Sequence, residues 1–308
     1  MKRKLDVILL AFVSALCCAC GKSAFTSGDL VVCDTIRVRK PFQVIEMCDD
    51  INVTLKHCDA DNPAGKIVLK TGENLIEGIT YKIDSTVFKV KKSDSTAVTI
   101  VLNKLIIQDE NTLNFLRPYD DGPDMTIYYD SIYMLYFNSN AQIKTADALR
   151  GYLWPTIIMS NDIQTDTLLP QLNLEVRGGS GDFFVDMNCY MLNNKYTHGT
   201  SCITLSGKVK HAETITNYDC HGIIDGRALD SRSQKVNYYG TNTVYVKVFD
   251  NLVARNYNIG RIYYVKYKEN DSIWIDNGSP HGIWKDSTFS CPRYKTLEGS
   301  NIMPYTLP

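Results

Sequence analysis

Asp182-Phe183-Phe184-Val185, Ser201-Cys202-Ile203-Thr204-Leu205, His221-Gly222-Ile223-Ile224-Asp225, Thr243-Val244-Tyr245-Val246 and Arg261-Ile262-Tyr263-Tyr264-Val265 are five short, strand-like cores. Their starts recur at nearly even intervals. Glycine or asparagine precedes many of them, as in Gly178-Gly179-Ser180-Gly181, Gly240-Thr241-Asn242 and Asn258-Ile259-Gly260. A period of about 20 residues with short strands marks a solenoid, in which one coil cannot bury its apolar side alone and stacked coils share a core. The pattern therefore predicts an all-β fold, a parallel β-helix. The alternative is an antiparallel β-sandwich, whose strands recur every 8–12 residues or so. Sub-strands between the cores, Val236-Asn237-Tyr238 and Leu252-Val253-Ala254, blur the choice, although a β-helix with two or three strands per coil accommodates them.

Outside this stretch the chain also alternates apolar and polar residues. Ile36-Arg37-Val38, Ile51-Asn52-Val53-Thr54-Leu55, Phe88-Lys89-Val90, Val98-Thr99-Ile100-Val101-Leu102, Met125-Thr126-Ile127-Tyr128 and Leu172-Asn173-Leu174-Glu175-Val176 read as strands. Gly, Asn, Asp and Ser punctuate them. No window carries the i, i+3, i+4, i+7 spacing of a capped amphipathic helix.

The N-terminus has its own grammar. Lys2, Arg3 and Lys4 precede Val7-Ile-Leu-Leu-Ala-Phe-Val-Ser-Ala-Leu16, an apolar run too short to span a bilayer and of signal-peptide length. It ends in Leu16-Cys17-Cys18-Ala19-Cys20-Gly21. Small residues flank Cys20, so residues 1–19 are expected to be a lipoprotein signal peptide, with Cys20 lipidated and the chain held to the outer membrane. An anchor of two or more acyl chains holds firmly, since each buried methylene contributes ~0.8 kcal/mol. Residues 20–32 read as a tether and 33–308 as the folded unit. No acid follows Cys20 before Asp29, which leaves open whether the anchor faces the surface or the periplasm.

The formal net charge of −1 gives no electrostatic case for nucleic acid. Nineteen tyrosines suit half-buried strands. Past Cys20 stand Cys33, Cys48, Cys58, Cys189, Cys202, Cys220 and Cys291, an odd number without a CxxC pair. Small buried core residues are their expected role, with Cys33–Cys48 and Cys189–Cys202 as candidate disulfides. The spacing of cysteines and histidines shows no metal site and no cofactor is implied.

Several of these strands resemble the head-GIN domain family. The resemblance rests on Arg39-Lys40-Pro41-Phe42-Gln43-Val44-Ile45, Ile51–Leu55, Gly72-Glu73-Asn74-Leu75-Ile76, Met125–Ile132 and Ser139-Asn140-Ala141-Gln142-Ile143. It extends to Gly179-Ser180-Gly181-Asp182-Phe183 and to Thr243–Arg255 with Ile259–Tyr264, and covers about Asp34 to Trp284. It implies a right-handed β-helix, a lipoprotein of the Bacteroidetes type and an auto-transporter adhesin of unestablished function, with no catalytic residues to carry over. Residues 103–123 read as an insertion into the family pattern.

Two functional classes remain. One is a non-catalytic envelope lipoprotein that binds a glycan or an envelope protein, or acts as a spacer. Its speculative binding residues are Tyr263, Tyr264, Trp274 and Trp284, since aromatic ladders stack on sugars or anchor protein contacts. The same rings could instead fill the core or stack on the flanks. The alternative is a glycan-active β-helix lyase or hydrolase, for which His221-Gly-Ile-Ile-Asp225-Gly-Arg227 is the only nominable cluster, with Lys208-Val-Lys-His211 one period back in the sequence. Such an enzyme needs two converging carboxylates. Asp120-Asp121-Gly122-Pro123-Asp124 reads as a turn rather than a calcium loop.

Overall fold

The computed structural model describes residues 30–73, 75–91, 95–110, 123–160, 163–266, 272–276 and 302–304. Strands β1 (Leu30–Arg37), β2 (Val44–Cys48), β3 (Asn52–His57) and β4 (Lys66–Gly72) lead into a long hairpin of β5 (Ile79–Lys91) and β6 (Ala97–Asp109). Next come β7 (Asp124–Tyr129), β8 (Met134–Asn138), β9 (Ile143–Thr145), β10 (Leu149–Arg150) and a second hairpin of β11 (Tyr152–Ser160) and β12 (Ile163–Gly178). The second half holds β13 (Phe183–Gly199), β14 (Ile203–Cys220), β15 (Ile224–Tyr238), β16 (Thr243–Asn256), β17 (Arg261–Lys266), β18 (Ser272–Asp276) and β19 (Ile302–Pro304). All belong to one mixed sheet, and one 3-10 turn at Ile76–Gly78 is the sole helical element among the described residues. The fold is all-β.

The periodic cores fall into register. Phe183 pairs with Ile203, Ile203 with Ile224, Ile224 with Val244 and Val244 with Ile262, each pair in parallel and one period apart. The same rung continues into the first half through Ile143, Val53 and Met125. All eight side chains are buried, at 2 % exposure or less. Alternation in a strand sends every second residue to the same face, so in-register parallel stacking builds one apolar column along the molecule. Burying each such side chain stabilises by roughly 1.5–3 kcal/mol. A second parallel ladder runs β6–β2–β8–β12 and then through the C-terminal halves of β13 to β16 into β18. Its inward row starts Leu105, Ile45, Leu135, Leu174 and then carries two buried polar residues, Asn194 and Thr214.

Among the described residues, antiparallel pairing is confined to β1–β4, β4–β7 and the two hairpins. That is not the pairing of an antiparallel sandwich. The hairpins make a satellite cluster outside the main core: Trp154 stacks on Tyr133 at 3.8 Å, and Phe88 meets both edge-on. Residues 103–109 form the end of β6 and pair with β5, with β2 reaching them over Lys104–Ile107.

The Gly178–Gly181 run has a steric cause. Gly179 has φ +95°, and a Cβ there would lie 2.1 Å from the Ser139 carbonyl oxygen. A Cβ at Gly181 would meet the Ala141 carbonyl oxygen at 2.0 Å. Only glycine lets this turn settle onto the turn at 139–141 beneath it. No helix follows, so the run is a packing device and not a phosphate cradle.

Candidate binding cleft

Four adjacent strands, β4, β7, β3 and β9, place two outward rows side by side. Val68, Thr126, Thr54 and Lys144 form one row. Lys70, Asp124 and Asn52 form the other, and Gln142 continues it just before β9. Together they line an open cleft of about 520 Å3. The strands project these polar side chains because the intervening residues, Leu69, Met125, Val53 and Ile143, all turn into the core.

The cleft is held by its own hydrogen bonds. Asn52 Nδ2 donates to Asp124 Oδ1 at 3.2 Å, and Asn52 Oδ1 accepts from the Gln142 backbone N–H at 3.0 Å. The amide is thus fixed at both ends. Among the described residues, neither Lys70 nor Lys144 has an ion-pair partner. Two cations against one carboxylate give the cleft a positive excess. The outer face of the second ladder differs: its named cations are all ion-paired. Lys104 pairs with Glu46 at 2.6 Å, Arg177 bridges Glu46 and Glu175, Lys195 adds to Glu175, and Arg177 lies 3.7 Å over the Tyr136 ring.

The upper row runs on past Lys144 to Phe184, Thr204, Asp225, Tyr245 and Tyr263. Phe184 is 41 % exposed at the margin of the cleft and takes part in no ring stack among the described residues. Further along, the rings are already occupied. Tyr245 stacks on Tyr263 at 5.2 Å with planes 15° apart, and Arg227 covers Tyr245 at 4.6 Å. Elsewhere on the sheet, Tyr218, Tyr239 and Tyr257 form a second ladder.

Of the sequence-nominated residues, Tyr263 lies half-buried on this outer row, whereas its neighbour Tyr264 is 6 % exposed and belongs to the core. The backbone of Trp274 stands opposite Val253 on the second ladder. Cys20 and Trp284 lie outside the described residues. Tyr263 and Tyr264 therefore face opposite sides of the sheet. Asn52, Asp124, Gln142 and Lys144 escaped nomination because they come together only through pairing between distant parts of the chain. The legible part was the polar half of each alternating strand, Asn52-Val-Thr54 and Asp124-Met-Thr126.

The nominated enzyme cluster does not converge. Asp225 is paired to Arg227 of its own strand at 2.5 Å, and this guanidinium holds its carboxyl below the usual carboxylate range. Its neighbours across the sheet are Thr204 and Tyr245. His221 Nδ1 contacts Thr241 Oγ1, and His211 Nδ1 contacts Ser233 Oγ. Burial, with Lys210 and Arg232 adding, keeps His211 below the ordinary histidine range. No second carboxylate stands directly across the sheet from Asp225, and none besides Asp124 lines the cleft among the described residues.

Five described cysteines are free thiols: Cys48, Cys58, Cys189, Cys202 and Cys220. Neither disulfide candidate is formed, since Cys48, Cys189 and Cys202 are all among them. Cys189 and Cys220 are buried in the core, and burial pushes their thiols up to about 12 and about 11.

Among the described residues no helix is long and apolar enough to cross a membrane. Several solved structures resemble the chain. A "putative adhesin" of Bacteroides fragilis is 14 % identical with a TM-score of 0.58, covering 82 % of this chain and 95 % of that one. A "putative adhesin" of Parabacteroides distasonis is 16 % identical with a TM-score of 0.47, covering 83 % and 97 %. A "putative lipid binding protein" from the same organism is 12 % identical with a TM-score of 0.48, covering 82 % and 95 %. No curated protein matches the chain. A family profile covers residues 41–267, nearly three quarters of the sequence, and the chain belongs to that family, described as "Putative auto-transporter adhesin, head GIN domain".

Proposed function

We propose that this protein is a non-catalytic lipoprotein of the bacterial cell envelope that binds an acidic glycan in the cleft of β4, β7, β3 and β9. The observation that carries this reading is the pair of outward polar rows beside an exposed, unstacked Phe184. Sugar hydroxyls are met by fixed amide, carboxylate and hydroxyl groups, here Asn52, Asp124, Gln142, Thr54 and Thr126. The apolar face of a pyranose is met by an aromatic ring, here Phe184. Lys70 and Lys144 select for carboxylate- or sulfate-bearing sugars.

In this reading the parallel rungs are successive turns of a right-handed β-helix. Residues 1–19 are removed, Cys20 carries the lipid, and residues 20–32 tether the unit of 33–308 to the outer membrane. The family and the fold shared with an adhesin structure support a binding role. Asp225 has Thr204 and Tyr245 directly across the sheet, and Asp124 has Asn52 and Lys70, so neither is set opposite the second carboxylate that a hydrolase uses.

Binding of the purified chain to an array holding polygalacturonate, alginate, chondroitin sulfate and neutral dextran tests the proposal. Retention on the acidic polymers, weakened as salt rises, is expected. Binding to dextran alone, or to no glycan, contradicts it, and the second result favours the spacer role.

A further inference from the structure

Away from the cleft, β3 and β7 end side by side. His57 pairs with Tyr129 in the parallel ladder, so the next residues, Cys58 and Asp130, emerge together. The Cys58 backbone N–H donates to the Tyr129 carbonyl at 2.8 Å and fixes this relation. The imidazole of His57, the Cys58 thiol and the Asp130 carboxylate each present a ligand atom within 4.8 Å of the others. The long stretch of chain between Cys58 and Asp130, which includes the whole β5–β6 hairpin, hides the set from any reading of local spacing.

The frame around these three groups is hydrogen-bonded on both sides. Asp147 accepts the His57 backbone N–H at 3.1 Å and the Tyr129 hydroxyl at 3.3 Å. The His57 ring stands edge-on to the buried Tyr129 ring at 5.8 Å. Immediately after Cys58, Asp59 accepts hydrogen bonds from Asp61 and Asn62 and closes the turn. Among the described residues no hydrogen bond engages the His57 ring nitrogens or the Cys58 sulfur, while Asp130 accepts from Ser131 at 3.2 Å. Two potential anions, thiolate and carboxylate, and one neutral imidazole match the charge of a divalent ion.

We propose that His57, Cys58 and Asp130 form a zinc site. One sulfur, one nitrogen and one oxygen ligand suit zinc, which accepts all three at about 2.0–2.3 Å in a tetrahedron. Bonds of that length bring ligand atoms to roughly 3.5 Å from one another, so side-chain rotations closing about 1 Å complete the site. The half-buried His57 and Cys58 and the exposed Asp130 leave the fourth position to solvent. The site lies where the turn after β3 and the turn after β7 meet, and zinc there would clamp the two. It is independent of the glycan cleft.

The test is titration of the reduced, metal-free full chain with zinc against a chromophoric chelator, and with cobalt followed by absorption. One equivalent of zinc is expected, with a thiolate-to-cobalt charge-transfer band. Cys58→Ser and His57→Ala should each weaken zinc by about tenfold or more, and Asp130→Asn less, with circular dichroism unchanged. His211→Ala and His221→Ala, whose rings are engaged by Ser233 and Thr241, should bind as the parent does. Zinc should also slow alkylation of Cys58 in the parent chain, which needs no variant to fold. No zinc uptake, a cobalt spectrum without the thiolate band, or Cys58 alkylation indifferent to zinc would each overturn the assignment.

Discussion

Phe183 and Phe184 are the same residue on opposite faces of β13, and their truncation separates the register from every neighbouring one. Phe183 is fully buried and stacks on Phe137 at 4.5 Å with planes 16° apart. A phenylalanine buries about 150–250 Å2, and a well-placed ring pair adds about 0.5–1.5 kcal/mol. At roughly 25 cal/mol per Å2, less the part an alanine retains, Phe183→Ala should cost about 4 kcal/mol, within the range for buried Phe→Ala. Phe184, 41 % exposed, loses little buried area and should cost about 1 kcal/mol or less. Urea denaturation of both variants, with unchanged slope, reads the difference. In thermal melts it corresponds to a midpoint about 8–16 °C lower for Phe183→Ala. Equal losses, or a larger loss at Phe184, would mean that the strand presents the other face to the core, and every row described above would move with it.

Other outcomes follow from the same geometry. Gly181→Ala must push the Ala141 carbonyl away and should destabilise by about 1–3 kcal/mol in urea melts. The buried thiols make the fold alkali-sensitive. Cys189 and Cys220 keep their protons to about 12 and about 11, above the ordinary value of 9.0. Their contribution is therefore complete below pH 9 and fades as pH rises from there through 11 to 12, by on the order of 1.4 kcal/mol per group per pH unit. Denaturant midpoints should fall over that window, less steeply in Cys189→Ala after correction for its cavity. Cys20→Ala should abolish incorporation of a labelled lipid precursor in cells; undiminished labelling would remove the anchor from the proposal.

How much was legible in the sequence depended on distance along the chain. The cores from Phe183 to Ile262 were readable because successive parallel strands repeat the same buried position within one short period, and the residues between are polar enough to show the alternation. The Gly179-Ser180-Gly181 step was readable for a related reason, since close contact between turns excludes a Cβ. The first half was harder. There β3 pairs with β7 and β9 across long separations, and the β5–β6 and β11–β12 hairpins interrupt the period. Their outer apolar residues, Phe88 and Trp154, serve a satellite cluster and so mimic core positions.

Tyr263 and Tyr264 illustrate a limit of another kind. Composition drew attention to the C-terminal tyrosines together, but adjacent strand residues face opposite ways, so one ring lies outside and one lies in the core. The outer ring is then taken up by Tyr245. Aromatic content alone could not reveal that Phe184 is exposed and unstacked on this row.

The binding proposal meets its most direct test in calorimetric titration of the strongest acidic oligosaccharide from the array into the parent chain and single variants. Lys144→Ala, Asn52→Ala and Phe184→Ala should each weaken binding by about tenfold, equivalent to about 1.4 kcal/mol, with unchanged circular dichroism. Tyr263→Ala should bind within about twofold of the parent, since its ring is already stacked on Tyr245. Folded cleft variants that bind as the parent does, together with loss of binding in Tyr263→Ala, would contradict the account and move the site to the tyrosine stack.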